Sequence, residues 1–187
     1  PRAVTDPEFW PDAVTRVIMN NIFHFHVEPE DALAQLQVAV EVREVLVDAH
    51  QAGVRTVRLY GGEPLLHPDI LGLVARARQA FGHVELITNG TLLSEADVRE
   101  ACCKADVVLP SLDAGDAETF EKINQPQHTL DFNTFAEGLI QFRKEYNKQI
   151  WLEVFFCEGV NTSESAVINL KRWIDQINPD KIQINTA

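Results

Sequence analysis

VRLYGGEPLLHPDI, residues 57–70, runs from a β-rich segment through a pair of glycines towards a helix. Gly61 and Gly62 leave the main chain bare at the strand end, where any Cβ would obstruct a ligand that approaches the backbone. Pro64 restricts its own φ and stiffens the turn that follows. The exposed backbone can therefore hold a small polar group, although the same residues also suit a tight turn that binds nothing.

Short β-rich segments alternate with apolar helices from about residue 30 onward. Strands are predicted at residues 54–60, 84–88, 107–111, 150–156 and 182–186. Helices with one apolar face are predicted at residues 33–47, at 70–77, after a cap at Ser94, at 132–142 and at 167–177. This alternation is typical of βα units and a parallel sheet, which right-handed crossovers curl with the helices outside. We predict an α/β fold, a partial (β/α)6-type TIM barrel with parallel strands and outer helices.

The N-terminal part of the chain has a weaker pattern. Residues 6–17 suit a short helix, and residues 22–27 alternate like a strand, which would be the sixth. We divide the chain into an N-terminal segment, residues 1–30, and a core domain, residues 31–187. Because the last predicted strand is not followed by a helix, we expect the core domain to be incomplete at its C-terminus.

Composition narrows the classes of partner. The net charge of −12 opposes binding to a phosphate backbone, so DNA is not expected as a ligand. No apolar run is long enough for a membrane span, and the first residues lack the pattern of a signal peptide. Three cysteines, two of them adjacent, make no disulfide framework and fit a reducing compartment. We therefore expect a cytoplasmic protein that does not bind membranes.

Small or polar residues stand at the carboxyl end of every predicted strand. They are Gly61-Gly62-Glu63, Thr88-Asn89-Gly90, Ser111-Leu112-Asp113, Glu158-Gly159-Val160-Asn161 and Asn185-Thr186. Ligands of parallel α/β folds bind beyond the carboxyl ends of the strands, so we expect these residues to converge on one site. Four structural alternatives stay open: an N-cap at Asp113, a capping box at Asn161 and Glu164, a plain turn at Asn89-Gly90 and a local hydrogen bond at Ser111.

Several blocks together resemble one enzyme family. The Gly-Gly-Glu-Pro turn is similar to a motif of radical S-adenosylmethionine (SAM) enzymes. Further blocks follow in the order seen in the Fe-S oxidoreductase branch related to the wyosine-forming tRNA enzymes: ITNGTLL (87–93), DVVLPSLDA (106–114), FEKINQP (120–126), EVFFCEGVN (153–161) and NPDKIQINT (178–186). The resemblance covers roughly residues 30 to 187.

The resemblance implies two cofactors, SAM and a [4Fe-4S] cluster, and an external electron donor. The cluster would reduce SAM and release a 5'-deoxyadenosyl radical that abstracts hydrogen from a substrate. Carried over by block, Gly61, Gly62 and Glu63, with Pro64 in the same turn, would hold the methionine amino group. Thr88 and Asn89 would lie beside SAM, Ser111, Asp113 and Glu153 would contact its ribose or carboxylate, and Gly159, Val160 and Asn185 would line its adenine.

Two departures from the family stand out. The sequence has no C-x3-C-x2-C triplet of cluster ligands, and near the expected place it has His24-Phe25-His26. Two histidines on one strand face are not a substitute for three thiolates. Three explanations are open: the cluster loop was left out of this sequence, it was lost in evolution, or the family resemblance is wrong. We favour omission, because such a loop is readily disordered without its cluster and the C-terminus also looks clipped. The second departure is Gln125, where this branch usually has Arg.

Three functions are compared. The first is a radical SAM enzyme acting on a peptide, a small molecule or tRNA. The second is a SAM- or nucleoside-binding module that does no radical chemistry. The third is an unrelated TIM-barrel lyase or hydrolase, which rests on fold analogy alone.

Overall fold

A computed structural model of the chain describes residues 51, 53–126 and 129–186. The strands are β1 (Thr56–Leu59), β2 (His83–Thr88), β3 (Val107–Pro110), β4 (Gln149–Phe156) and β5 (Lys181–Thr186). The helices are α1 (Ile70–Ala80), α2 (Ala96–Cys102), α3 (Ala117–Asn124), α4 (Phe132–Glu145) and α5 (Glu164–Ile177), with a 3₁₀ turn at Pro64–Leu66. The N-terminal segment, the predicted helices at 6–17 and 33–47, the sixth strand and the two histidines lie outside the described residues.

All five strands pair in parallel, in the order β1-β2-β3-β4-β5. The predicted α/β class and parallel sheet are confirmed, and each strand lies within two residues of its predicted bounds. Because sequential strands are also neighbours in space, the sheet carries no topological switch. Because all five strands are parallel, they all end at the same edge, which we call the carboxyl edge. The edge where the strands begin is the amino edge.

One face of the sheet packs against the helices. Its side chains form the core with the apolar faces of the helices, and they include Val57, Leu59, Val84, Leu86, Val108, Ile150, Leu152 and Val154. Successive strand residues point to opposite faces, so the register assigns Arg58, Glu85 and Glu153 to the other face. Arg58 donates to Glu85 at 2.6 Å, and its charge also acts on Glu153, three strands away. Charged side chains therefore lie on the face of the sheet opposite the helices.

Aromatic side chains join the outer helices α3, α4 and α5. Phe120 and Phe135 stack with centroids 5.0 Å apart, and Phe132 meets Trp173 edge-on at 5.5 Å. The Trp173 indole N–H also donates to the carbonyl of Gly115 at 3.0 Å, so its polar atom is satisfied where the ring is packed. This contact fixes α5 against the loop that follows β3.

Helix ends follow the sequence only in part. Asp116 and Asp131 cap α3 and α4 through their side chains, as residues of this type commonly do. The predicted cap at Ser94 is wrong, because α2 begins one residue later with Glu95 at its N-cap and no side-chain cap bond. The α5 cap is Ser163. Within the described residues, no helix is both long and apolar enough to cross a membrane.

Side-chain hydrogen bonds to backbone groups connect the strands at the amino edge. Tyr146 donates its hydroxyl to Ala105 O at 3.2 Å, and Lys148 donates to the same oxygen at 2.7 Å. The Asp106 carboxylate next to it accepts the amide of Val84 at 2.9 Å. These bonds join β2, β3 and the start of β4 at the edge opposite the predicted site.

Gly138 lies in the middle of α4, where a side chain has no room. A Cβ there would lie 2.7 Å from Ser94 N and 2.9 Å from Leu93 C. Glycine to alanine normally stabilises a helix by about 1 kcal/mol. Here we expect Gly138→Ala to lower the free energy of unfolding, by about 1–3 kcal/mol, because the neighbouring atoms are backbone and the overpacked contact must shift α4.

Urea denaturation would measure this change. The control is Glu137→Ala, at an exposed position on the same turn of the helix, which should change stability by no more than about 0.5 kcal/mol. A gain in stability for Gly138→Ala would show that α4 does not approach residues 93–94 this closely.

Candidate functional site

The glycine turn after β1 has a backbone that other residues rarely adopt. Gly61 has φ 113° and Gly62 has φ 44°, so both lie in the positive-φ region. Side chains with a Cβ are strained there, most severely at the φ of Gly61. Gly62 is exposed, and Pro64 begins the 3₁₀ turn directly after Glu63. The sequence therefore places two glycines where the backbone geometry requires them.

The Glu63 carboxylate ties this turn to the end of β2. One of its oxygens accepts from the Thr88 hydroxyl at 2.7 Å and from the amide of Leu65 at 2.9 Å. The other accepts the amide of Asn89 at 2.6 Å. We call these three bonds the Glu63 clamp. They span 26 residues of sequence and fix the spacing of the first two strand ends.

Glu63 is only 7% exposed, and its carboxylate points into the protein. Burial raises the pKa of Glu63 above its ordinary value, and the bonds from Leu65, Thr88 and Asn89 oppose that rise. The geometry gives this side chain an ordering role in the turn. Its contact with a methionine amino group stays a prediction, as do the ligand contacts of the other residues of the site.

The end of β2 forms a compact turn. Thr88 has its hydroxyl engaged twice, because it donates to Glu63 and accepts the amide of Gly90 at 3.0 Å. Asn89 is exposed, and its side-chain oxygen accepts the amide and hydroxyl of Thr91 at 2.9 and 2.7 Å. This is an Asx turn, so the structural alternative for Asn89-Gly90 is present. Thr88 lies beneath the turn, and Asn89 lies on its surface.

The ends of β3 and β4 are joined side by side. Ser111 forms an isolated bridge with Glu153, and its amide donates to Thr88 O at 3.2 Å. Leu112 donates to Glu153 O at 2.9 Å. Burial raises the pKa of Glu153, and the positive charge of Arg58 opposes that rise. Ser111 and Glu153 therefore share the carboxyl half of the sheet with the Glu63 clamp.

Asp113 continues this connection. Its carboxylate accepts the amide of Phe155 at 2.7 Å and the side-chain amide of Asn124 at 3.2 Å. Burial raises the pKa of Asp113, and these two hydrogen bonds lower it. The alternative that Asp113 caps α3 is wrong, because Asp116 accepts from Thr119 N in that position.

The loop after β4 brings the remaining predicted residues to the same edge. Gly159 is exposed with φ 75°, and a Cβ there would meet nothing within 4 Å. Val160 donates its amide to Cys157 O at 3.1 Å. Asn185 is exposed and pairs with Phe155 in the β4–β5 register. Every predicted site residue thus lies at or next to the carboxyl edge.

Asn161 is a residue whose place the sequence did not reveal. The capping box with Glu164 is wrong, since Ser163 caps α5. The Asn161 side chain instead bonds the ends of β3 and β4. The available signal was a polar residue five positions after a strand end and two after a glycine, but a helix cap fits the same pattern.

The cysteines of the chain do not form a cluster site. Cys102 ends α2 and is buried, Cys103 follows it towards the amino edge, and Cys157 follows β4 at the carboxyl edge. Burial raises the pKa of the Cys102 thiol, which disfavours the thiolate that binds iron. No group of three or more His, Cys, Asp or Glu in the described ranges is arranged to hold a metal. The three cysteines therefore do not fit a [4Fe-4S] cluster.

Removal of the Glu63 side chain should lower the free energy of unfolding. Glu63→Ala leaves the Thr88 hydroxyl and the amides of Leu65 and Asn89 without their acceptor. We expect a loss of about 1–3 kcal/mol in the free energy of unfolding. Chemical denaturation would measure it, with Glu121→Ala on the exposed side of α3 as the control that changes little. Equal stability of the two variants would contradict the clamp.

Three curated relatives match two thirds or more of the chain, which spans less than half the length of each of them. The chain is 35% identical over 153 residues to GTPase Obg of Brachyspira hyodysenteriae, covering 81% of this chain and 22% of that protein. It is 32% identical over 127 residues to a UPF0026 protein of Helicobacter pylori, with 67% and 41% covered. It is 30% identical over 156 residues to GTP 3',8-cyclase of Microcystis aeruginosa, with 79% and 46% covered.

Solved structures share the fold. Streptococcus suis SuiB bound to precursor peptide SuiA superposes with a TM-score of 0.61 at 20% identity, over 79% of this chain and 32% of SuiB. TYW1 with a lysine-pyruvate adduct gives 0.60 at 17% identity, over 89% of this chain and 59% of TYW1. The radical SAM enzyme HemN from Escherichia coli gives 0.60 at 14%, over 82% of this chain and 37% of HemN, in agreement with the predicted partial TIM barrel.

The family itself is identified by sequence. The model of the Radical SAM superfamily matches residues 24–162, which include β1 to β4 and the loop around Gly159. The glycine turn, the Glu63 clamp and the loop after β4 all fall inside that match. This chain belongs to the radical SAM superfamily.

Proposed function

We propose that this chain is the SAM-binding part of a radical SAM enzyme and that SAM lies across the carboxyl edge. The observation that carries the proposal is the Glu63 clamp, which holds the turn of Gly61 and Gly62 beside the end of β2. Family membership supports a SAM ligand, and it removes the unrelated lyase or hydrolase from consideration.

Each half of SAM has a matching part of the edge. The main chain of the glycine turn offers carbonyl oxygens and amides to the methionine ammonium and carboxylate groups. Ser111 and Glu153, paired side by side, offer a hydroxyl and a carboxylate that can bond ribose hydroxyls. Gly159 and Val160 offer a loop for the adenine ring, with nothing within 4 Å of a Cβ placed on Gly159.

A [4Fe-4S] cluster would supply the reducing electron in a radical SAM enzyme. The cysteines of this chain do not provide its ligands, so the proposal assigns the cluster to a cysteine triplet that this sequence does not contain. For the substrate, the charge of −12 favours a small molecule or peptide over tRNA. We place the enzyme in the cytoplasm, with an external electron donor.

A second candidate is a SAM- or nucleoside-binding module that does no radical chemistry. The position of Cys102 and Cys103 towards the amino edge, away from Cys157, favours it for the chain as it stands. The coding sequence around residues 17–30 decides between the two. A cysteine triplet there supports the enzyme, which should form 5'-deoxyadenosine from SAM after anaerobic reconstitution with iron and sulfide and reduction. Absence of the triplet, or of the product, supports the module.

SAM binding itself is tested on the chain with a matched pair of glycine variants. Gly61→Ala forces a Cβ onto φ 113° in the proposed site, and Gly53→Ala forces one onto φ 87° away from it, with nothing within 4 Å. We expect Gly61→Ala to raise the Kd for SAM about tenfold or more, which is about 1.4 kcal/mol. Gly53→Ala should leave it unchanged.

Isothermal titration with SAM would measure both constants. A folded wild-type chain that does not bind SAM would remove the proposal. Equal loss of affinity in the two variants would show that the glycine turn acts only through general stability.

A further inference from the structure

Asn161 has all the polar atoms of its side chain engaged. It is 2% exposed. Its oxygen accepts the amide of Cys157 at 2.8 Å, and its nitrogen donates to Phe155 O at 2.7 Å and Asp113 O at 2.8 Å. One buried side chain thus holds the end of β4, the turn after it and the end of β3.

The Asp113 carboxylate also bonds the end of β4. It accepts the amide of Phe155, while Asn161 donates to the Phe155 carbonyl. Both backbone groups of Phe155 are therefore bonded by side chains. The bridge of Ser111 with Glu153 is the last strand contact between β3 and β4. We call the bonds beyond it the Asp113–Asn161 clasp, because they take the place of ladder hydrogen bonds where the two strands separate.

The clasp fixes a short loop rather than a helix. The amides of Val160 and Asn161 both donate to Cys157 O, at 3.1 and 3.3 Å, so the chain closes a turn over residues 157–161. Helix α5 has its own cap at Ser163 and does not need Asn161. Gly159, at the tip of this turn, is exposed. Buried side-chain bonds at the base of an exposed loop determine where its tip lies relative to Ser111.

We propose that Asn161 is a positioning residue for the nucleoside half of SAM, which rests on the proposed function. The clasp sets the distance between the loop at Gly159 and the end of β3, and these are the two walls proposed for adenine and ribose. The methionine half depends on a separate set of hydrogen bonds, the Glu63 clamp, at the ends of β1 and β2. The two halves of the ligand are therefore held by independent hydrogen-bond groups.

Asn161→Asp tests the hydrogen bonds of the Asn161 side chain without changing its volume. It keeps the volume of the side chain and the acceptor for Cys157, but it removes both donors and turns an oxygen towards the carbonyls of Phe155 and Asp113. The matched control is Tyr146→Phe, which removes one buried hydrogen bond, to Ala105 O, at the amino edge. Both changes lower the thermal midpoint, so stability alone does not distinguish them.

The experiment compares ligand halves. S-adenosylhomocysteine is titrated into the wild type and both variants well below their unfolding transitions, and 5'-deoxyadenosine and L-methionine are then measured as competitors. We expect Asn161→Asp to raise the Kd of S-adenosylhomocysteine and of 5'-deoxyadenosine about tenfold, because two buried carbonyls lose their donor. The Kd of L-methionine should stay at the wild-type value, and Tyr146→Phe should leave all three unchanged.

Other outcomes overturn the inference. Unchanged affinity for 5'-deoxyadenosine, or an equal loss for both halves, removes the positioning role of Asn161. Absence of binding in the wild type instead removes the proposed function. If Asn161→Asp does not fold, Asn161→Ser decides: its shorter side chain loses the two bonds to the carbonyls of Phe155 and Asp113 without burying a charge, so it should weaken only the nucleoside half, and no change would refute the clasp.

Discussion

One buried carboxylate organises this molecule at its predicted site. The Glu63 clamp uses both oxygens to hold the positive-φ glycine turn against the end of the neighbouring strand. A carboxylate that accepts several hydrogen bonds makes stronger bonds than a neutral acceptor would, and it does so where burial excludes competing water. Glu63 directly follows the two positive-φ glycines and ties their turn to the end of β2, so the exposed backbone of that turn depends on Glu63.

The two edges of the sheet divide stability and function between them. The amino edge is closed by Tyr146, Lys148 and Asp106, whose bonds lead to the backbone of β2 and β3. The carboxyl edge carries turns with exposed tips, each held from beneath by a buried polar side chain: Glu63 and Thr88 at one turn, Asn161 at another. Fixed bases with open tips suit a ligand that spans several strands, as SAM would.

The sequence predicted the sheet well because hydrophobic periodicity and glycine placement are local. All five strands, the parallel class and the shared edge follow from them. The predicted helix caps at Ser94 and Asn161 were wrong. A capping pattern shows only that a side chain is able to bond a helix end, and it does not show which partner that side chain bonds in the folded protein. The contacts of Asn161 reach Asp113, 48 residues away, and those of Glu63 reach Thr88, 25 residues away. Such contacts arise only when the strands pair, so the chain gives no local sign of them.

Backbone hydrogen exchange with and without S-adenosylhomocysteine tests the central claim, that the strand ends form one site. We expect slower exchange on binding at three turns together, residues 61–63, 89–91 and 159–161, with no change at residues 103–106 and 146–148 of the amino edge. Protection at the amino edge, or at a single turn of the carboxyl edge, would contradict a shared site.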